Sequence, residues 1–457
     1  MADDFTPDNL EAAGALTPAP DPGYSWPEDP RTAAALEHWR DLKVGVIIHW
    51  GIYSAIHQGG SWSLHRSHLG DFTDPPADWE GTDAQYHTWY CDQARHFRGE
   101  EFDACEWARA CANAGMKYVV FTTKHHDGFA MYDTAYSNFK CTSEAAGLGR
   151  DIFAEVTEAF RAEGLETGVY FSKADWHRSD YWDRSLPISD RFHNYSIADH
   201  PKKWQRFVEF THDQIEELLS NYGKMNVLWL DAGWVRSPEE PIDIDGIARR
   251  ARELQPDILV VDREVHGPEE NYRTPEQALP DHTPEYPWES CITMTKTWCS
   301  LQRDEPIKPM TEIIHNLLAI VSRGGNYLIG IGPDATGQLS PHISRGLAEL
   351  GQFLEANAEG IYGTRVWSGA QQVTGKDGWE WFSTQAGDDS QKIYLFGMPS
   401  EAGSLSDTSV TIPPAVKSVR PLAHGSAQLA SADGQTVIKL QDLDQCHYAV
   451  GLALELA

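Results

Sequence analysis

Basic residues are scarce in this chain: 37 Lys and Arg stand against 68 Asp and Glu over 457 residues, a formal net charge of −31. Such a surface repels nucleic-acid phosphates and anionic lipid headgroups. A nucleic-acid partner is therefore not expected, and the acidity by itself is explained by solubility. No window supplies the roughly 18 uninterrupted apolar residues of a membrane span, so no membrane partner is expected either. Cysteine is also sparse. The seven, Cys91, Cys105, Cys111, Cys141, Cys291, Cys299 and Cys446, show no CxxC spacing, so neither a zinc site nor a disulfide framework is expected. Residues 1–30 lack the basic start and apolar centre of a secretory signal and read as a flexible, Pro-rich lead-in. A reducing, cytoplasmic compartment is the expectation, with a trimmed secreted form as the other reading. No GxGxxG or GxxxxGK[ST] follows any strand, which removes the usual nucleotide phosphate loops.

What is present is a regular alternation. Apolar, β-branched runs at 43–51, 117–129, 166–172, 226–231, 257–263 and 326–332 alternate with segments of helical period at 151–164, 206–223 and 312–325. Gly164 and Gly223 close the first two helices. This pattern is α/β with a parallel sheet, either a closed (β/α)₈ TIM-like barrel or an open doubly wound sheet. Polar residues end almost every strand: His49, His125 and His126, Ser172, Asp231, Arg263. Barrels assemble sites from many strand ends, whereas open sheets use one switch point, so the barrel is expected. After residue 360 short alternating segments at 392–398, 409–414, 436–443 and 447–456 predict an antiparallel β-sandwich. The expected division is 1–30 lead-in, 31–360 catalytic barrel and 361–457 sandwich.

Three places could carry chemistry. KHHDG (124–128) puts two imidazoles after a strand; they can serve as metal ligands, as buried structural groups, or as hydrogen-bond partners of sugar hydroxyls, the last fitting the surrounding aromatics. Asp231 ends NVLWLD between Trp229 and Trp234. It is either a reacting carboxylate or a cap of the next turn, and spacing leaves both open. The stretch 264–289 holds Glu264, Glu269, Glu270, Glu276, Glu285 and Glu289, any of which could supply the second carboxyl that glycoside hydrolysis requires.

Read together, GVIIHWGIYS (45–54), KYVVFTTKHHDGFAMYDTAYSNF (117–139), VLWLDAGW (227–234), PWES (287–290), IVSRGGNYLIGIGPDATGQL (320–339) and EGIYGT (359–364) resemble the α-L-fucosidases of glycoside hydrolase family 29. The resemblance covers most of residues 35–365. It implies a catalytic barrel followed by a β-sandwich and a retaining exo-glycosidase acting on fucosylated oligosaccharides without metal or organic cofactor. By that resemblance Asp231 is the nucleophile, and Glu276, in a Thr-x-Glu context after Asp262-Arg263, is the acid/base, with Glu289 and Glu270 as rivals. His49, Trp62, His125, His126, Trp229 and Arg263 match residues that hold the fucose and position the nucleophile, and Tyr170 or Phe171 matches an aromatic beside the sugar. Two departures stand out: Ser61 where many members have an acid before Trp62, and TWCS (297–300) on the aglycone side. The competing classes are a carbohydrate-binding pseudoenzyme and a metal-dependent barrel hydrolase with His49, His125, His126 and Asp231 as ligands.

Overall fold

The structure is a computed structural model that describes residues 22–57, 59–64, 81–188, 190–263, 265–300, 303–400, 407–412, 415–432 and 435–457. Most of the expected lead-in, and Glu264, lie outside these residues. The described end of the lead-in is docked: the Tyr24 hydroxyl donates to the carbonyl of Asn271 at 2.7 Å.

Seven parallel strands form one sheet: β1 (Val44–Ile48), β2 (Tyr118–Lys124), β3 (Glu166–Ser172), β4 (Val227–Asp231), β5 (Leu259–Asp262), β6 (Glu289–Thr293) and β7 (Asn326–Ile331). Their order is β5-β4-β3-β2-β1-β7-β6, which leaves β5 and β6 as its two edges. Residues 271–277 fill the gap between those edges. Asn271 N–H donates to the Val260 carbonyl at 2.8 Å, and Val260 N–H to Asn271 Oδ1 at 2.8 Å. On the other side, Arg273 and Gln277 N–H donate to Pro287 and Cys291 carbonyls, and Glu289 and Cys291 N–H to Arg273 and Pro275 carbonyls, at 2.8–3.2 Å. This irregular eighth stave closes the expected (β/α)₈ barrel. No α-helix is found among the described residues from 263 to 288, so the stave is not followed by a crossover helix of its own there.

Elsewhere amphipathic helices cover the barrel, including Ile152–Ala162, Pro201–Asn221, Ile244–Leu254, Met310–Ser322 and Pro341–Asn357. The first starts on an Asp151 N-cap and the last on a Ser340 N-cap, whose side chains accept from Ala154 N–H and Ile343 N–H. Strand side chains alternate between two faces. The inward set Ile47, Val120, Tyr170, Trp229, Val261, Tyr272, Cys291 and Leu328 forms an apolar plug separate from the outer core under the helices. Two residues further along the strands, the inward positions become His49, Ser172, Asp231 and Arg263. The period of two therefore places polar chemistry directly above a dry floor.

Beyond the last helix, a five-stranded antiparallel sheet and a four-stranded one pack as a sandwich over residues 364–456, around Ile393, Leu395, Val410, Ile438, Leu452 and their neighbours. Arg365 ties it to the barrel through Asp41 at 2.6 Å and Glu37 at 2.9 Å.

Candidate active site

The two adjacent histidines share a pocket because β2 ends at Lys124. Lys124 pairs with buried Asp175 at 3.3 Å. Asp127 accepts from Tyr90 Oη at 2.8 Å and from Phe129 N–H at 3.0 Å. With both flanks pinned outward, the His125 and His126 rings turn to the same side, their centroids 4.2 Å apart.

Asp231, at the end of β4, is 6% exposed. Its Oδ2 accepts a short hydrogen bond from Tyr170 Oη, and its Oδ1 accepts from Arg263 Nη1 at 2.7 Å. Burial alone would raise this carboxyl, but the Arg263 guanidinium and the Tyr170 hydroxyl outweigh it and hold Asp231 well below the usual carboxylate range. It stays ionised without solvent.

The other terminal nitrogen of Arg263 meets Glu276 Oε2. Glu276 also accepts from Trp298 Nε1 at 2.9 Å. One guanidinium therefore bridges the end of β4 and the eighth stave, and the two carboxylates belong to one site. Trp298 can come this close because β7 carries glycine there: a Cβ on Gly330 would lie 2.8 Å from its ring.

The imidazoles line the remaining wall. The Ser172 hydroxyl donates to the Ala174 carbonyl at 2.9 Å, so its oxygen receives the Nδ1–H of His126 at 2.7 Å. The neutral ring then presents a bare Nε2, 3.8 Å from Asp231 Oδ2, to which a ligand hydroxyl can donate. His125 shares a short hydrogen bond through Nδ1 with Ser61. His49 packs 4.8 Å from the Trp298 ring and 5.5 Å from Tyr170. Burial pushes His125 down to about 4 and holds His49 and His126 well below their ordinary value. All three are neutral at pH 7 and suited to sugar hydroxyls. Trp62 contacts His126, Trp176 and Trp234 at 5.2–5.5 Å, with the Arg191 guanidinium 5.8 Å from its ring.

The sequence candidates divide by depth. Asp231, Glu276, Arg263, His49, His125, His126, Tyr170 and Trp62 meet at one mouth. Trp229 lies beneath it, 2% exposed, stacked on Tyr170 at 5.5 Å and 5.6 Å from the Arg263 guanidinium. Phe171 faces the outer core. Glu289, one of the rival acids, starts β6 inside the barrel, where it accepts from Tyr118 Oη at 2.6 Å and Trp229 Nε1 at 3.1 Å. The other rival, Glu270, pairs with Arg273 at 2.7 Å, away from Asp231. Trp176 was missed, though it lies only four residues past the end of β3. Trp298 was visible only as a departure from a pattern.

The donor atoms of His125, His126 and Asp231 lie within 4.8 Å of one another, close enough to hold a cation. Both Asp231 oxygens already accept from Arg263 and Tyr170. Asp231 is thus balanced by a guanidinium and held in one orientation by two donors.

A model of the α-L-fucosidase family matches residues 13–359. The tissue α-L-fucosidase of Rattus norvegicus is 29% identical over 388 residues, 78% of this chain and 75% of its own length. That of Homo sapiens is 29% identical over 384 residues, 78% and 76% of the two chains. Among solved structures, α-L-fucosidase isoenzyme 1 from Paenibacillus thiaminolyticus superposes with a TM-score of 0.75 at 28% identity, covering 93% of this chain and all of that one.

Proposed function

The chain belongs to the α-L-fucosidase family of glycoside hydrolases, and from that premise we propose that it removes terminal α-L-fucose by double displacement, with Asp231 as nucleophile and Glu276 as acid/base. The observation that carries the assignment is the bridge formed by Arg263 between the two carboxylates. It brings them into one site, as a retaining mechanism requires of carboxyl groups about 5 Å apart.

In the first step Asp231 attacks the anomeric carbon while Glu276, in its protonated form, gives that proton to the leaving oxygen. The bond to the aglycone breaks and a glycosyl ester forms. Glu276, now a carboxylate, takes a proton from water, which displaces Asp231 and releases fucose with its original anomeric configuration. His49, His125 and His126 take up the sugar hydroxyls, and Trp62 and Tyr170 line the ring. Arg263 and Tyr170 keep Asp231 ionised and aimed. No step calls for a metal or organic cofactor. A binding protein without turnover would have no use for this pair of oriented carboxylates.

Incubation with a 2-fluorinated fucosyl fluoride should label one residue per chain, and peptide mapping should find the label on Asp231. A label elsewhere, or release of the inverted sugar on a natural substrate, rejects the assignment.

A further inference from the structure

On the outer side of the pocket wall lies a cluster that the proposed reaction does not use. His87 and Cys91 sit four residues apart on one face of the helix Asp83–Asp92. His177 arrives from the segment after β3. Cys91 Sγ is 3.6 Å from His87 Nδ1 and 3.4 Å from His177 Nδ1, and the three atoms lie within 4.8 Å of one another. A tetrahedral ion with bonds of ~2.3 Å to sulfur and ~2.0–2.1 Å to nitrogen separates those atoms by about 3.5 Å.

The proton inventory points the same way. His87 Nε2–H donates to the Trp176 carbonyl at 3.1 Å, which leaves its Nδ1 bare and reproduces the outer hydrogen bond of metal-ligating histidines. Arg184 Nη2 faces His177 Nδ1 at 3.4 Å, so that nitrogen is an acceptor as well. Two lone pairs converge on one thiol, which has a single proton to give.

We propose that His87, Cys91 and His177 bind one thiophilic divalent cation, of the Zn²⁺ class, with a fourth position open to water. Binding replaces the Cys91 thiol proton, which leaves to solvent, and involves no redox change. Arg184 competes for the His177 Nδ1 lone pair. The guanidinium keeps its stronger bond to the His177 carbonyl at 2.7 Å and gives up its contact with Nδ1. Trp176, next to His177, lies 5.2 Å from the His126 ring and 5.3 Å from Trp62, so the ion would tie the helix to the wall of the pocket. This site is independent of how Asp231 and Glu276 act.

The test is titration of the chelator-treated full chain with Co²⁺ in a thiol-free reductant. The expected result is a sulfur-to-cobalt charge-transfer band in the near ultraviolet at one equivalent per chain, displaced by Zn²⁺. The band should vanish in Cys91→Ser and in His177→Ala, each checked for native circular dichroism, and Arg184→Ala should bind Co²⁺ at least tenfold tighter. If Cys91→Ser does not fold, His177→Ala decides. Absence of the band at millimolar Co²⁺, or its persistence in either ligand variant, overturns the proposal.

Discussion

Arg263 is bound to Asp231 through one terminal nitrogen and to Glu276 through the other. The first contact is what offsets the burial of Asp231. Replacing Arg263 with Lys keeps a charge but loses the fork, so desolvation gains weight and the Asp231 carboxyl rises toward its ordinary value. Activity is then lost at a higher pH as the solution is acidified, and the acid limb of the kcat/KM profile moves to higher pH. An unmoved limb would show that Arg263 does not control the ionisation of Asp231.

Glu276 and Glu289 are separated by leaving-group chemistry. General acid catalysis contributes about 10²–10⁴-fold, and Glu276→Ala should lose it on substrates with poor leaving groups while regaining the first step on activated aryl fucosides. Glu289→Ala should show no such rescue. It strands the buried Tyr118 hydroxyl and Trp229 N–H, each costing about 1–3 kcal/mol, and should appear as a lowered Tm. Rescue in Glu289→Ala would move the acid into the barrel.

Stability should carry the signature of Glu289. Burial pushes its carboxyl up to about 7 from an unfolded value of 4.5. The folded state therefore holds its proton longer than the unfolded state. The contribution is fully present below pH 4.5 and is lost as pH rises through 7, on the order of 3 kcal/mol across that window. Glu289→Gln should flatten the dependence of Tm on pH between 5 and 8, and an identical slope in wild type and variant would refute this.

Ser61 stands where many family members carry an acid, yet it bonds the Nδ1 of His125. A neutral hydrogen bond of about 1 kcal/mol corresponds to roughly fivefold in binding. Ser61→Ala should raise KM for an aryl α-L-fucoside by that factor with kcat within twofold. An unchanged KM would mean that His125 is oriented without it.

The place of Asp231 at a strand end was legible because β4 is an unbroken apolar run whose last residue is an acid. The inward parity of His49, Ser172 and Arg263 follows from the same period of two. The eighth stave was not legible. In NYRTPEQ, polar residues occupy most positions and Pro275 lacks an N–H, so neither propensity nor alternation marks a strand. It holds through backbone bonds to neighbours that are themselves strands. Trp298 was equally hidden, since only the missing Cβ of Gly330 admits it. The pairing of His125 with His126 turned on where β2 stops, which the run KYVVFTTKHHDGF overstates by five residues.

Among the described residues, four backbone hydrogen bonds tie the stave to the β6 side, while Asn271 bonds Val260 of β5 and Glu276 meets Arg263 just beyond it. The proposed nucleophile thus sits on a strand paired on both sides, and the proposed acid/base on the irregular segment between β5 and β6. On that proposal, changes in the stave would alter which leaving groups are accepted while the attacking carboxylate stays where it is.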